Sequence, residues 1–199
     1  MENLIKRIVQ RVRPIYFGSK FYPKTCFKHA LRVSEFAKDF SVKLGASRFI
    51  SEAGGLLHDI GAAMYGRDNH HITGAQEATL VLLDCECPLD AVGPIVSAVY
   101  SHRGSEKIPF KIPEAKCVAA ADAKDHFLFL EEVWQAQMGL GRTELEAYTR
   151  VSEELKNDWE KTDPEIKPLL DGAYEKARQK LLKIALANGR HKKSRKAAR

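Results

Sequence analysis

Apolar residues recur at helical spacing along almost the whole chain. Leu4, Ile5, Ile8, Val9 and Val12 form one stripe, which Pro14 should close. A turn-rich passage through Gly18 and Pro23 leads to a second stripe of Ala30, Val33, Phe36, Ala37 and Phe40, ended by Gly45. His29 lies four residues before Val33, on the inward side. A third helix, from about Ser47, turns Phe49, Ile50, Ala53, Leu56 and Leu57 inward and delivers His58 and Asp59 at its end. Asn69 is placed to cap a helix that packs through Ala75, Ala78, Val81 and Leu82, with His70 in its first turn. Val92, Ile95 and Val99 make another stripe, which His102 continues and Gly104 stops. After Pro109 and Pro113, a further helix sets Val118, Asp122 and Phe129 on one side. No β alternation competes, so the pattern predicts an all-α helical bundle.

The C-terminal third is also helical in pattern. Thr143 to Glu146 reads as a capping box ahead of Leu145, Tyr148, Val151 and Leu155. Asp163-Pro164 reads as a cap and first-turn proline ahead of Ile166, Leu170, Ala173, Ala177, Leu181 and Ile184, a stripe that Gly189 should end. These helices carry no identifiable chemistry and read as packing elements or a homodimer surface, with too few heptads for a coiled coil. With 199 residues and 44% hydrophobic content, the chain can bury one good core. The expected organisation is one helical domain over 1–189, with its centre at about 25–130 and added helices at about 143–188, then a basic disordered tail at 190–199.

The formal net charge of +6 is unevenly spread. Residues 190–199 hold six Lys or Arg and no acid, and residues 1–28 hold seven against Glu2 alone, leaving 19 basic and 25 acidic residues between. The middle of the chain is therefore mildly acidic, and bound cations would reverse its local sign. The basic ends are a weak basis for nucleic-acid binding, since the tail interleaves no aromatic residues. Cys26, Cys85, Cys87 and Cys117 form no Cys-x-x-Cys pair and read as buried thiols. Nowhere do 18 apolar residues run together and no secretion signal is apparent, so the expectation is a cytoplasmic chain without membrane contact.

His58-Asp59-Ile60-Gly61 places an imidazole beside a carboxylate, one nitrogen and one oxygen donor suited to a divalent ion. Asp59 has a second oxygen that can reach a second ion. His29 before this tetrapeptide, and His70, His102 and Asp122 after it, supply the further donors that two ions need. Singly, each inward histidine reads more simply as a hydrogen-bonded core residue. Asp122 is harder to dismiss, since a carboxylate beside Val118 and the run Ala119 to Ala121 is costly to bury without a cation or an arginine. His71 competes with His70 as a donor. His126 and His191 read as surface residues, and Asp125 reads equally as an orienting group or a helix-surface carboxylate.

The order of His29, His58-Asp59, His70, His102 and Asp122 resembles the HD-domain phosphohydrolase superfamily, in the subset that carries extra histidines for two metals. The boxes around these residues, including Gly55-Leu-Leu-His58-Asp59-Ile-Gly and His70-His71-Ile-Thr-Gly74-Ala, look like that family's over roughly residues 25 to 130. Gly74, four positions after His70, is what favours His70 over His71. The resemblance implies one metal held by His29, His58, Asp59 and Asp122, and a second held by Asp59, His70 and His102. The ions would be iron, manganese, nickel or similar, with magnesium as a weaker option. His58 and Asp59 would be the catalytic pair, a metal-bridging water the nucleophile, and a phosphate ester or anhydride of nucleotide type the substrate. Arg32, Arg67, His71, Arg103 and Lys124 stand close enough in sequence to hold phosphate. Chain length and ligand order are similar to the superfamily's bacterial symmetrical dinucleoside tetraphosphate hydrolases, but Arg103-Gly-Ser-Glu-Lys-Ile-Pro departs from that branch's threonine-rich turn. Two other classes compete: a regulatory module that binds metals and a nucleotide without turnover, and an RNA-associated factor acting through the basic ends.

Overall fold

The computed structural model describes residues 1–21 and 25–197, with side chains to residue 186. Among them the regular structure is helical and no strand occurs. The first helix, α1 (Glu2–Phe17), buries Leu4, Ile8, Val12 and Tyr16 at four-residue spacing. Pro14 does not close it: the helix runs one more turn, and Tyr16 donates its hydroxyl to the carbonyl of Leu56 at 3.0 Å. The cost of one missing N–H bond falls where that tertiary bond offsets it. Pro23 lies outside the described residues.

Two long helices and a short one carry the centre of the molecule. In α2 (Cys26–Lys43), His29 is buried on the same face as Ala30, Val33, Ala37 and Phe40, and Gly45 follows at φ +60 in the left-handed region. In α3 (Arg48–Leu57), Ser47 caps through its side chain, which accepts from Ile50 N, and the last turn delivers His58. Asp59 has φ −104 and ψ 12, so the chain breaks there and restarts as the short α4 (Ile60–Tyr65). This break takes the Asp59 carboxylate off the helix surface and turns it inward.

Helix α5 (His70–Asp84) starts differently from the sequence expectation. Asn69 makes no side-chain cap, but takes φ 52, a left-handed conformation that asparagine tolerates, and so turns the chain into the helix. Its first turn meets α4 at Gly61, where an added Cβ would run into the backbone of His70 and Gly74. Only glycine permits that approach, and the approach sets His70 beside Asp59. Helix α6 (Leu89–Ser101) then places His102 directly after its last turn.

Helix α7 (Pro113–Leu128), with Pro113 in its first turn, is buried on nearly all sides and carries Asp122, Asp125 and His126. Beyond it lie α8 (Leu130–Gly139), α9 (Glu144–Lys161) and α10 (Lys167–Ala197). The Thr143 capping box forms as its pattern predicts. Asp163 caps a turn rather than the helix, accepting from Glu165 N at 2.9 Å, and α10 starts at Lys167. Its backbone continues past Gly189, where the apolar pattern stops; the side chains of the basic tail 190–199 lie outside the described residues.

The core divides into two apolar clusters. One joins α1 and the start of α2 with α3, α4, α5 and α6; the other joins the rest of α2, and Ala98 of α6, with α7, α8, α9 and α10. Helix α2 packs most extensively on α3 and α7. The predicted ligands stand where these helices meet. All four cysteines are buried and free, as their apolar neighbours predict. No helix among the described residues is long and apolar enough to cross a membrane.

Candidate metal centre

Four histidines converge with the same orientation. His58, His70 and His102 each place Nδ1 against a backbone carbonyl, of Gly55 at 2.7 Å, Arg67 at 2.8 Å and Val99 at 2.6 Å. A carbonyl only accepts, so Nδ1 is the donor in all three, and the neutral ring keeps its lone pair on Nε2. His29 is held at Nδ1 by Asp125 Oδ2, 2.7 Å away. Asp125 is held in turn by Arg32, whose Nη2 donates to Oδ2 at 2.9 Å and whose guanidinium stacks on Phe129. This outer ring of acceptors fixes tautomer and aim, as such partners do for metal-binding imidazoles.

The freed Nε2 atoms face each other and two carboxylates. His29 and His58 bring Nε2 atoms to 3.0 Å, and His70 and His102 to 3.2 Å. Two neutral rings in this tautomer would point lone pairs at each other; a proton on His29, which its carboxylate neighbours favour, or a shared cation resolves that arrangement. Asp59 Oδ2 lies 3.8 Å from His29 Nε2 and 3.6 Å from His58 Nε2, while Oδ1 lies 3.3 Å from His70 Nε2 and 3.7 Å from His102 Nε2. Each oxygen thus serves a different histidine pair. Asp122 Oδ1 is 3.3 Å from His29 and 3.6 Å from His58, and is buried without a hydrogen-bond partner. Donors on one ion, with bonds of about 2.0–2.2 Å, stand roughly 3.0–3.6 Å apart, and all but the two longest of these separations fall in that range, so the donor types and spacing suit divalent cations.

Electrostatics point the same way. Burial works against the charged forms of Asp59 and Asp122, yet the imidazoles hold both carboxyls well below the usual range: His58, His102 and His70 for Asp59, and His126, His29 and His58 for Asp122. Burial also opposes the His29 imidazolium, but Asp122 and Asp125 outweigh it and raise the group to about 9. His70 is lowered by burial to about 4, so its ring is neutral and ready to coordinate. An isolated pair of buried carboxylates would cost several kcal/mol each, and positive charge between them removes that cost.

The cleft over this centre is lined by Asp59, His70, His102 and Asp122, together with Arg67, Arg103, Arg150 and Asn157. Arg67 and Arg103 thus line the cleft, paired with Glu154 and Glu106 respectively. Arg32 and Lys124 are not among the cleft-lining residues: Arg32 is engaged by Asp125 and Glu132, and the Lys124 ammonium sits 3.9 Å above the Phe36 ring. Between the two competing histidines, His70 enters the centre, whereas His71 turns its ring toward Tyr100 at 5.4 Å.

Sequence reasoning missed two contributions. His126 is buried rather than on the surface, with Nε2 3.4 Å from Asp122 Oδ1 and Nδ1 2.8 Å from Asp158 Oδ2. Its spacing of four from Asp122 was the available signal. The C-terminal third, read as packing elements or a homodimer surface, sends Arg150, Glu154, Asn157 and Asp158 from α9 into the cleft, and Glu154 pairs with Arg67 at 2.7 Å. That face depends on where α9 docks, which no local pattern encodes.

A family model described as HD domain matches residues 26–126, an interval that contains all six predicted ligands. Ribonuclease Y of Clostridium tetani is 30% identical over 135 residues, covering 68% of this chain and 23% of that protein. Ribonuclease Y of Alkaliphilus metalliredigens is 31% identical over 137 residues, 68% of this chain and 25% of that protein. The chain thus spans about a quarter of the length of the curated relatives it matches. Among solved structures, that of Bacillus subtilis YpgQ superposes with a TM-score of 0.68 at 15% identity, over 92% of this chain and 94% of that one, a likeness of fold.

Proposed function

Because the chain belongs to the HD domain family of metal-dependent phosphohydrolases, we propose that it hydrolyses a phosphate ester or anhydride of a nucleotide-type substrate at a centre built for two divalent cations. The observation that carries this reading is the division of Asp59, one oxygen toward His29 and His58 and the other toward His70 and His102. His29, His58, Asp59 and Asp122 would hold one ion, and Asp59, His70 and His102 the other. Two cations so placed supply Lewis-acid charge and lower the pKa of water enough for it to act as nucleophile near neutral pH.

The protein's own groups do the rest. The carbonyls of Gly55, Arg67 and Val99 lock three imidazoles, and Asp125 with Arg32 locks the fourth, so little reorganisation precedes binding. Arg67 and Arg103 line the cleft and would receive phosphate oxygens as the charge on the transferred group spreads. No covalent enzyme intermediate is part of this reading, which gives nucleophilic catalysis no role. A metal-supplemented turnover screen over nucleotides, dinucleotides and short RNA tests it. Metal-dependent release of phosphate or nucleotide supports it, and a folded, metal-loaded protein inert on the whole panel contradicts it in favour of a binding module.

A second reading has one observation in its favour: the curated relatives are named ribonucleases. An RNA phosphodiester carries the same phosphorus chemistry, and the three arginines at the cleft would meet successive phosphates. The RNA arm of the screen separates the two.

A further inference from the structure

The orientation that marks the four candidate histidine ligands extends to a fifth imidazole. In His29, His58, His70 and His102, an oxygen fixes Nδ1 and leaves Nε2 turned toward the carboxylates. His126 repeats this arrangement: Asp158 Oδ2 holds its Nδ1 at 2.8 Å, and its Nε2 lies 3.4 Å from Asp122 Oδ1. That distance falls between the 3.3 Å and 3.6 Å at which His29 and His58 approach the same oxygen. The oxygen is buried without a hydrogen-bond partner, and three imidazole nitrogens converge on it at ion-pair distance. Donor atoms of His29, Asp122 and His126 all lie within 4.8 Å of one another, and His126 lines the cleft.

The brace behind His126 is built into the packing. A Cβ at Gly104 would meet Asp158 Oδ1, so the loop after His102 lies directly against the Asp158 side chain. Lys161, one turn on, donates to the carbonyl of Glu106 at 3.0 Å and holds the same loop from the other side. Asp158 thus packs between this loop and His126, and it comes from beyond the residues the family model matches. A histidine filling space would need none of this.

We propose that His126 is a further ligand of the cation held by His29, His58 and Asp122, an inference that rests on the two-cation reading above. This half-site then offers five protein donors, three of them imidazoles, against three donors in the half built by Asp59, His70 and His102. Imidazole-rich coordination selects mid- and late-row transition ions over magnesium, so the two half-sites differ in both affinity and selectivity. The richer one keeps its ion while the poorer one exchanges.

Cobalt(II) titration of the full chain, followed by calorimetry and by the visible absorption of the bound ion, reads both half-sites without turnover. His126→Asn sets an amide where Nδ1 stands, so it can still donate to Asp158 but falls short of the Nε2 position, and His126→Ala removes the side chain outright. The expected result for both is a loss of more than about 100-fold in affinity for the tighter ion, beyond what an outer partner contributes, with a changed absorption band. His71→Ala should leave isotherm and band as in the parent. If the parent takes up two ions and both folded His126 variants match it, the ligand assignment is wrong while the two-cation reading stands. A loss of only about 10-fold with an unchanged band also overturns the assignment, since it marks His126 as an outer brace of Asp122. A parent that takes up no cobalt overturns both readings together.

Discussion

Asp125 Oδ2 lies 2.7 Å from His29 Nδ1, and this contact aims the opposite nitrogen of His29 at the centre. Asp125→Ala should leave the imidazole free to rotate and to change tautomer. The expected outcome is a fall of about 10–100-fold in affinity for the first ion, with the helical spectrum retained. Metal titration by calorimetry checks it, and unchanged affinity would mean that packing alone orients His29.

Gly61 makes a different kind of contribution. Its Cα faces the backbone of His70 and Gly74 so closely that Gly61→Ala must push α4 away from α5. Overpacking of this kind costs about 1–3 kcal/mol, and the displacement falls on the Asp59 to His70 approach. Thermal unfolding should drop by several degrees, and the second ion should weaken more than the first. A variant with the parent's melting temperature and both ions would show that the close approach is not needed.

Much of this arrangement was legible in the residues, for a physical reason. His29, His58 and His102 each sit on or at the end of a strong apolar stripe, so helical periodicity alone turns them inward, and Ser47 and Thr143 cap as their types predict. What was not legible depends on contacts distant in sequence. Tyr16 reaching Leu56 carries α1 past Pro14, Asn69 starts α5 by its backbone rather than its side chain, and Asp158 makes His126 an interior residue. Arg32 could be placed near the site by its spacing from His29. Its engagement with Asp125 and Glu132 could not, because those partners lie about a hundred residues away.

The two basic residues that the structure separates most clearly give a kinetic prediction. Arg103 lines the cleft, whereas the Lys124 ammonium rests on the Phe36 ring. Arg103→Ala should raise KM for a phosphorylated substrate by roughly 10-fold or more, the loss expected for a charge-assisted hydrogen bond of about 1.5–3 kcal/mol. Lys124→Ala should leave KM unchanged. Steady-state kinetics on the best substrate of the screen decides it, and the reverse pattern would move the phosphate to the other side of α7.

The half-sites should also come apart. His102 Nε2 faces His70 and the Oδ1 side of Asp59. His102→Ala should therefore remove one of three donors from the second half-site and leave the first intact, so that elemental analysis finds close to one ion per chain. Two ions retained, or none, would contradict the division of donors.

The central claim is that Asp59 joins the two half-sites, with Oδ2 3.6 Å from His58 Nε2 and Oδ1 3.3 Å from His70 Nε2. The most direct measurement is the metal content of Asp59→Ala after reconstitution, taken together with its turnover and its helical circular dichroism. The account predicts that both ions are lost or greatly weakened and turnover is abolished, while the helices on either side keep their apolar faces and the fold survives. A folded Asp59→Ala protein that keeps two ions and turns over phosphate esters near the parent rate would contradict it, and Asp59 would then be an ordinary carboxylate at a helix break.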